Sequence, residues 1–283
     1  MPFSILMQGT PADNAPVAQV QGPALQGMFL HLLDTVDHAV CQRLHDDSRY
    51  RPYTLSPLTI GKPASFKTTE PRNFQGFWLP KQSHIQAGTP CSARITLLED
   101  PLFPTFSRYF LSQPEPTFRL GRTQFQVTNV LCRNDHATPW SAYRSYTELI
   151  GKASRRQHKI TLHFLTPTSF RRGDVDFPLP DPRLVFRSYR ARFEEFARIA
   201  VLPDFDEQVE CYTGIARLHR LETATVRIKK VRLVGFVGSV TYLIDEKAPP
   251  DLIFQMNLLA DFAYFCGTGR KTTMGMGQTV RGE

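Results

Sequence analysis

The stretch Gly267-Thr268-Gly269-Arg270-Lys271-Thr272-Thr273-Met274-Gly275-Met276-Gly277 sets two Gly-x-Gly pairs around five residues that include two cations and two threonines. Glycine takes positive φ without steric cost and lets another backbone come close, so successive N–H groups in such a loop can converge on an anion, phosphate above all. The flanks discriminate between the known phosphate loops. Upstream, Leu252, Phe254, Leu258, Leu259, Phe262 and Phe265 recur at roughly helical spacing, which predicts an amphipathic helix over 251–265; downstream only a short strand fits. A dinucleotide fingerprint needs strand, glycines and helix in that order, and a P-loop needs a Gly-Lys-Ser/Thr that this stretch lacks. What remains is a helix, a basic glycine loop and a last strand.

Working outward, the same alternation of elements recurs. Lys159 to Pro167 alternates as a strand, and Pro182 to Ile199 fits a helix with Leu184, Val185, Tyr189, Phe193, Phe196 and Ala197 on one side. Tyr212 to Ile244 gives alternating runs: a hairpin whose second face is basic from Arg227, then a strand from Gly235. In the other half, Phe3 to Met7 reads as a strand and Gly9 to Gln21 as a loop. A helix from Pro23 follows, with Leu25, Met28, Phe29, Leu32, Leu33, Val36, Val40 and Leu44 as its buried stripe. Ala93 to Leu98 is a clear strand, a helix starts near Pro101, and Thr117–Arg122 and Gln124–Cys132 read as paired strands. The chain is thus expected to be α+β: two tandem ferredoxin-like (RRM-like) domains, each an antiparallel sheet with helices on one face, over residues 1–150 and 151–283.

Composition narrows the partners. Of 283 residues, 41% are hydrophobic, enough to bury two cores. A net charge of +8 and a pI near 9.4 favour a polyanion, because neutralising phosphates releases counterions. The charge is clustered: residues 141–172 hold Arg144, Lys152, Arg155, Arg156, Lys159, Arg171 and Arg172 against Glu148 alone. A second cluster, Arg217, Arg220, Arg227, Lys229, Lys230 and Arg232, faces only Glu222. The five cysteines form no Cys-x-x-Cys pair, which argues against structural zinc and for reduced thiols in a cytoplasm. No apolar run approaches the roughly 20 residues that a membrane helix needs. No metal and no cofactor is expected.

The glycine loop, with Phe262-Ala263-Tyr264-Phe265-Cys266 before it and Gln278-Thr279 after it, resembles the signature of the RAMP superfamily. It is most similar to the repeat-cleaving endoribonuclease family called CRISPR-associated protein six. Two further stretches carry the resemblance: Leu44-His45-Asp46-Asp47 with Arg51-Pro52-Tyr53-Thr54-Leu55-Ser56-Pro57-Leu58, and the basic region from Tyr146 to Gly173. The resemblance implies two ferredoxin-like domains and cleavage of precursor CRISPR RNA within its repeats, leaving a 2′,3′-cyclic phosphate and a 5′-hydroxyl. It further implies that the protein stays bound to the mature guide RNA, with other CRISPR effector subunits as further partners. The alternative it leaves open is a RAMP-fold subunit of an effector complex that binds RNA without cutting.

RNA carries its own nucleophile, the 2′-hydroxyl, so such an enzyme needs alignment and proton transfer rather than a metal. In the family a histidine at this helix end serves as general acid or base, which singles out His45, with His31 the alternative; an imidazole suits proton transfer near neutral pH. His31, His38 and His45 lie seven apart, about 10 Å per step on an unbroken helix, too far for one ion to bridge. Asp46 and Asp47 either hold the ring or cap the turn. Arg155 and Lys159 are candidates to stabilise the charged transition state. Ser154, Arg156, His158, Arg171, Arg172, Arg227 and Lys229 are candidates for RNA contacts, as are the loop residues Gly267, Gly269, Arg270, Lys271, Thr272, Gly275 and Gly277.

Overall fold

The structure, a computed structural model, describes residues 1–45, 50–61, 82–133, 140–228 and 230–282. These fall into two compact units. The first holds the residues described up to 143 together with Thr273–Gly275; the second holds 144–272 and 276–282.

The first unit runs β1 (Phe3–Pro11), β2 (Ala15–Pro16), α1 (Pro23–Val36), α2 (His38–His45), β3 (Tyr53–Leu55), β4 (Thr59–Ile60), β5 (His84–Ile85), β6 (Cys91–Leu97), α3 (Leu102–Leu111), β7 (Thr117–Leu120), β8 (Thr123–Leu131) and β9 (Ala142–Tyr143). Its main sheet is antiparallel in the order β3-β6-β1-β8-β7. Taking β1, β3, β6 and β8 as the four principal strands, this is the ferredoxin-like order. Alternation decides which face meets the helices. Phe3, Ile5 and Met7 of β1 and Ala93, Ile95 and Leu97 of β6 join Phe29 and Leu32 of α1 and Phe106 of α3 in one core. The intervening residues form a buried polar row on the opposite face: Thr54 and Thr96 share a hydroxyl bond of 2.6 Å, and Arg94 Nε donates to Ser4 Oγ at 2.7 Å.

Two expectations are corrected here. Strand β1 continues to Pro11, so Gly9 lies in a strand. A Cβ on Gly9 would stand 2.7 Å from the Gln126 carbonyl oxygen, next to the register shift between Gln8 and Gly9. The helix expected to run unbroken from Pro23 ends at Val36. Asp37 is extended (φ −154°, ψ 98°), its N–H still closes α1 on Leu33 O at 2.8 Å, and its carboxylate accepts the Val40 N–H at 3.2 Å. One aspartate therefore ends α1 and caps α2, so the three histidines do not share one stripe.

The second unit runs α4 (Tyr146–Lys152), β10 (Lys159–Thr168), β11 (Phe170–Arg172), β12 (Val175–Phe177), α5 (Pro182–Ala197), α6 (Phe205–Tyr212), β13 (Thr213–Ile228), β14 (Val231–Ile244), α7 (Pro250–Cys266) and β15 (Thr279–Arg281). Its sheet order, β13-β14-β10-β15, repeats the ferredoxin-like pattern with antiparallel pairing. Ile160, Leu162 and Phe164 alternate with a polar row in which Thr161 bonds Thr241 at 3.0 Å and His163 bonds Ser239 at 2.6 Å. Gly235 does not begin a new strand: it continues β14, which starts at Val231 as the second arm of a long hairpin. Helix α6 was not expected from the sequence.

Candidate nucleic-acid interface and catalytic residues

The glycine loop is the part whose geometry departs most from its sequence reading. Both of its flanks commit N–H groups inside the unit. Thr268 N–H donates to Gly277 O at 2.8 Å, Gly269 N–H to Ser188 Oγ at 2.9 Å, Arg270 N–H to Ser169 O at 3.0 Å and Gly277 N–H to Pro167 O at 3.1 Å. Tyr189 and Thr279 both bond the Thr268 hydroxyl, at 2.6 and 2.7 Å. The glycines make this interleaving possible: a Cβ on Gly277 would lie 2.0 Å from Thr268 O, and one on Gly269 would lie 2.3 Å from Ser169 O, both at positive φ. Gly267, Gly277 and Thr272 are buried. Gly275, also buried, lies in the piece grouped with the first unit, where Gln26 Nε2 donates to the neighbouring Thr273 hydroxyl at 3.3 Å.

The loop's two cations have different fates. Arg270 forms an ion pair with Asp176 of β12, both partners only about a fifth exposed, while Lys271 is exposed in the left-handed region (φ 57°). Arg192 of α5, itself buried, donates to Gly269 O at 2.6 Å. Neither Asp176 nor Arg192 was singled out from sequence. The turn sequence Gly173-Asp174 between Phe170 and Phe177 is the signal that could have revealed the β11–β12 hairpin and its acid.

The basic stretch before β10 is a surface. The Ser154 hydroxyl accepts the N–H groups of Arg156 and Gln157, at 3.2 and 3.1 Å, and so shapes the turn that presents the arginines. Arg156 and Lys159 are exposed. Arg155 reaches Asp251 at 3.3 Å and covers the Phe254 ring at 4.2 Å. His158 Nδ1 donates to Ile244 O at 3.1 Å, tying the start of β10 to the end of β14, so it is half-buried rather than presented. On the β11–β12 hairpin Arg171 pairs with Asp174 at 2.8 Å, and Arg172 lies over the Phe177 ring at 4.1 Å. Arg227 stands directly opposite Arg232 across β13 and β14, both exposed. Like charges in facing positions repel, which a bound polyanion would relieve. Lys229 lies outside the described residues, as do Asp46 and Asp47.

His45 is the last residue of α2 and is exposed; its carbonyl accepts from Arg51 at 3.3 Å. His31 is exposed on α1, one turn before the Asp34–His38 pair at 2.7 Å. His31 and His45 belong to the first unit and the other candidates named here, except Gly275, to the second. Among the described residues no group of three His, Cys, Asp or Glu side chains is arranged to hold a metal. No described helix is long and apolar enough to cross a membrane.

Two ferredoxin-like sheets in tandem, with a basic surface and a braced glycine loop, define the class of protein: a tandem ferredoxin-like α+β chain. Residues 1–151 match the model of the CRISPR Cas6 N-terminal domain, and residues 162–279 match that of the CRISPR-associated endoribonuclease Cas6. The chain belongs to the Cas6 family. It is 28% identical over 165 residues to a CRISPR-associated endoribonuclease Cas6 of Mycobacterium tuberculosis, covering 56% of this chain and 49% of the relative. The chain thus spans about half the length of that curated relative. Among solved structures, a Cas6 product complex is similar over 99% of this chain and 100% of its own, with 25% identity and a TM-score of 0.78. A Thermus thermophilus Cas6 is similar over 99% and 98%, with 26% identity and a TM-score of 0.69.

Proposed function

We propose that this protein is a metal-independent endoribonuclease that binds precursor CRISPR RNA at its repeats, cuts them and retains the mature guide RNA. The observation that carries this reading is the succession of the two family models along the chain, the second named for an endoribonuclease. Fold, charge and site residues are consistent with it. A general base removes the proton of the 2′-hydroxyl, its oxygen attacks the neighbouring phosphorus, and the bond to the 5′-oxygen breaks as a general acid protonates it. The products are a 2′,3′-cyclic phosphate and a 5′-hydroxyl. His45 acts as the acid or the base, with His31 as the alternative. Arg155 and Lys159 stabilise the charge gathered on the phosphate, and Arg156, Arg171, Arg172 and Arg227 hold the backbone.

The test is cleavage of a repeat RNA from the same locus in EDTA, beside the same RNA with one 2′-deoxy residue at the cut site. Only the ribose form should be cut, and His45→Ala should slow cutting by about 10²–10⁴-fold while repeat affinity stays near the original. A requirement for magnesium would sink the mechanism. Tight binding with no cutting of either RNA would make the chain a non-catalytic RAMP-fold subunit instead.

A further inference from the structure

One acid stands out in the basic surface. In the β11–β12 hairpin Asp176 is directly opposite Arg171, and Phe170 opposite Phe177. Of the two hairpin aspartates, Asp174 is fully exposed and pairs with Arg171 on the surface, whereas the Asp176 side chain is 20% exposed and faces inward to Arg270. Its second oxygen accepts the Val234 N–H of β14 at 3.4 Å. Arg270 in turn grips the start of the hairpin, because its N–H donates to the carbonyl of Ser169, the residue before β11. The glycine loop thus holds the hairpin at two points: through its backbone at Ser169, where the chain enters β11, and through its guanidinium at Asp176 of β12. The hairpin presents Arg171 and Arg172, both exposed, the second laid on Phe177 and with no hydrogen-bond partner for its fork among the described residues.

We propose that Asp176 is a positioning residue for RNA binding, and that Arg270 serves chiefly as its partner and not as a phosphate ligand. The inference rests on the reading that the chain binds repeat RNA. It makes a prediction of unusual sign. Removing a negative charge near a polyanion site ordinarily tightens binding, since repulsion falls. If Asp176 orders the hairpin, removing its charge weakens binding, because two arginines lose their fixed geometry.

The experiment measures repeat-RNA affinity by fluorescence anisotropy across a salt series for the full chain, with thermal unfolding run on each variant. Asp176→Asn is expected to weaken binding about tenfold and to lower the slope of log affinity against log salt by roughly 1–2, the contribution of Arg171 and Arg172. Asp176→Glu, which keeps the carboxylate, should recover most of the loss, while Asp174→Asn should bind as well as the original or better. In a background of Arg171→Ala and Arg172→Ala, Asp176→Asn should have no further effect. Should Asp176→Asn not fold, Arg270→Gln is carried through the same cycle and should likewise cost nothing further in that background. Equal or tighter binding by Asp176→Asn, or an effect that persists without the two arginines, overturns the proposal alone. No binding of the repeat by the unaltered protein overturns the RNA reading and this inference with it.

Discussion

The glycine loop and the stretch from Ser154 to Lys159 look alike in sequence: both are short, polar and rich in cations. They differ in what they do with their hydrogen-bonding groups. The loop commits the N–H groups of Thr268, Gly269, Arg270 and Gly277, the Thr268 hydroxyl and the Arg270 guanidinium to the second unit, with four glycines at positive φ. The basic stretch bonds through the Ser154 hydroxyl, Arg155, Gln157 and His158, yet leaves Arg156 and Lys159 in solvent. A phosphate-loop composition can therefore describe a brace, and a plain charge run can describe an exposed basic surface. Substitutions at the loop's glycines should act on stability, and those at the exposed cations of the basic stretch on affinity.

The largest effect that would break this contrast is at Gly277. Gly277→Ala brings a Cβ to 2.0 Å from a backbone oxygen at φ +70°, and the sum of strain and overpacking should cost upwards of about 3 kcal/mol, read as a fall in the denaturant midpoint. An alanine tolerated there without loss of stability would remove the brace from the argument. At intermediate size, Arg156→Ala and Lys159→Ala should each lower the salt slope of RNA affinity by about 0.7–0.9 with the unfolding midpoint unchanged, provided each meets one phosphate. A shift in the midpoint instead would assign the stretch to structure. The smallest effect sharpens the comparison from the other side. Gly151 lies within α4, where an added Cβ meets nothing within 4 Å, so Gly151→Ala should stabilise by roughly 0.5–1 kcal/mol in the same denaturation assay.

Much of the element order was legible because it rests on periodicity. The stripe Leu25, Met28, Phe29, Leu32 and Leu33 is buried as its spacing predicts, and the helix before the glycine loop spans Pro250–Cys266. The break at Asp37 was missed because apolar residues continue across it at helical spacing; only the aspartate's capping chemistry marks it. The start of β14 was misplaced because Lys230 interrupts the alternation, and this is where the hairpin turns. The ferredoxin-like relation to RNA-recognition domains also suggests a sheet face open to bases. Here each sheet has its own buried polar row, Ser4, Thr54 and Thr96 in the first unit and His163 and Ser239 in the second, each bonded within its own sheet, so neither offers a stacking platform at those positions.

From sequence alone came the classes of element, their order, the surplus of positive charge and the glycine signature, because periodicity and composition are local properties of the chain. Tertiary structure alone decided which cations face solvent and which are spent. Arg270 and Lys271 are neighbours, yet one meets Asp176 from 94 residues away and the other does not. No local rule encodes that difference. It arises because close backbone approach at the glycines carries Arg270 to an acid on a distant hairpin.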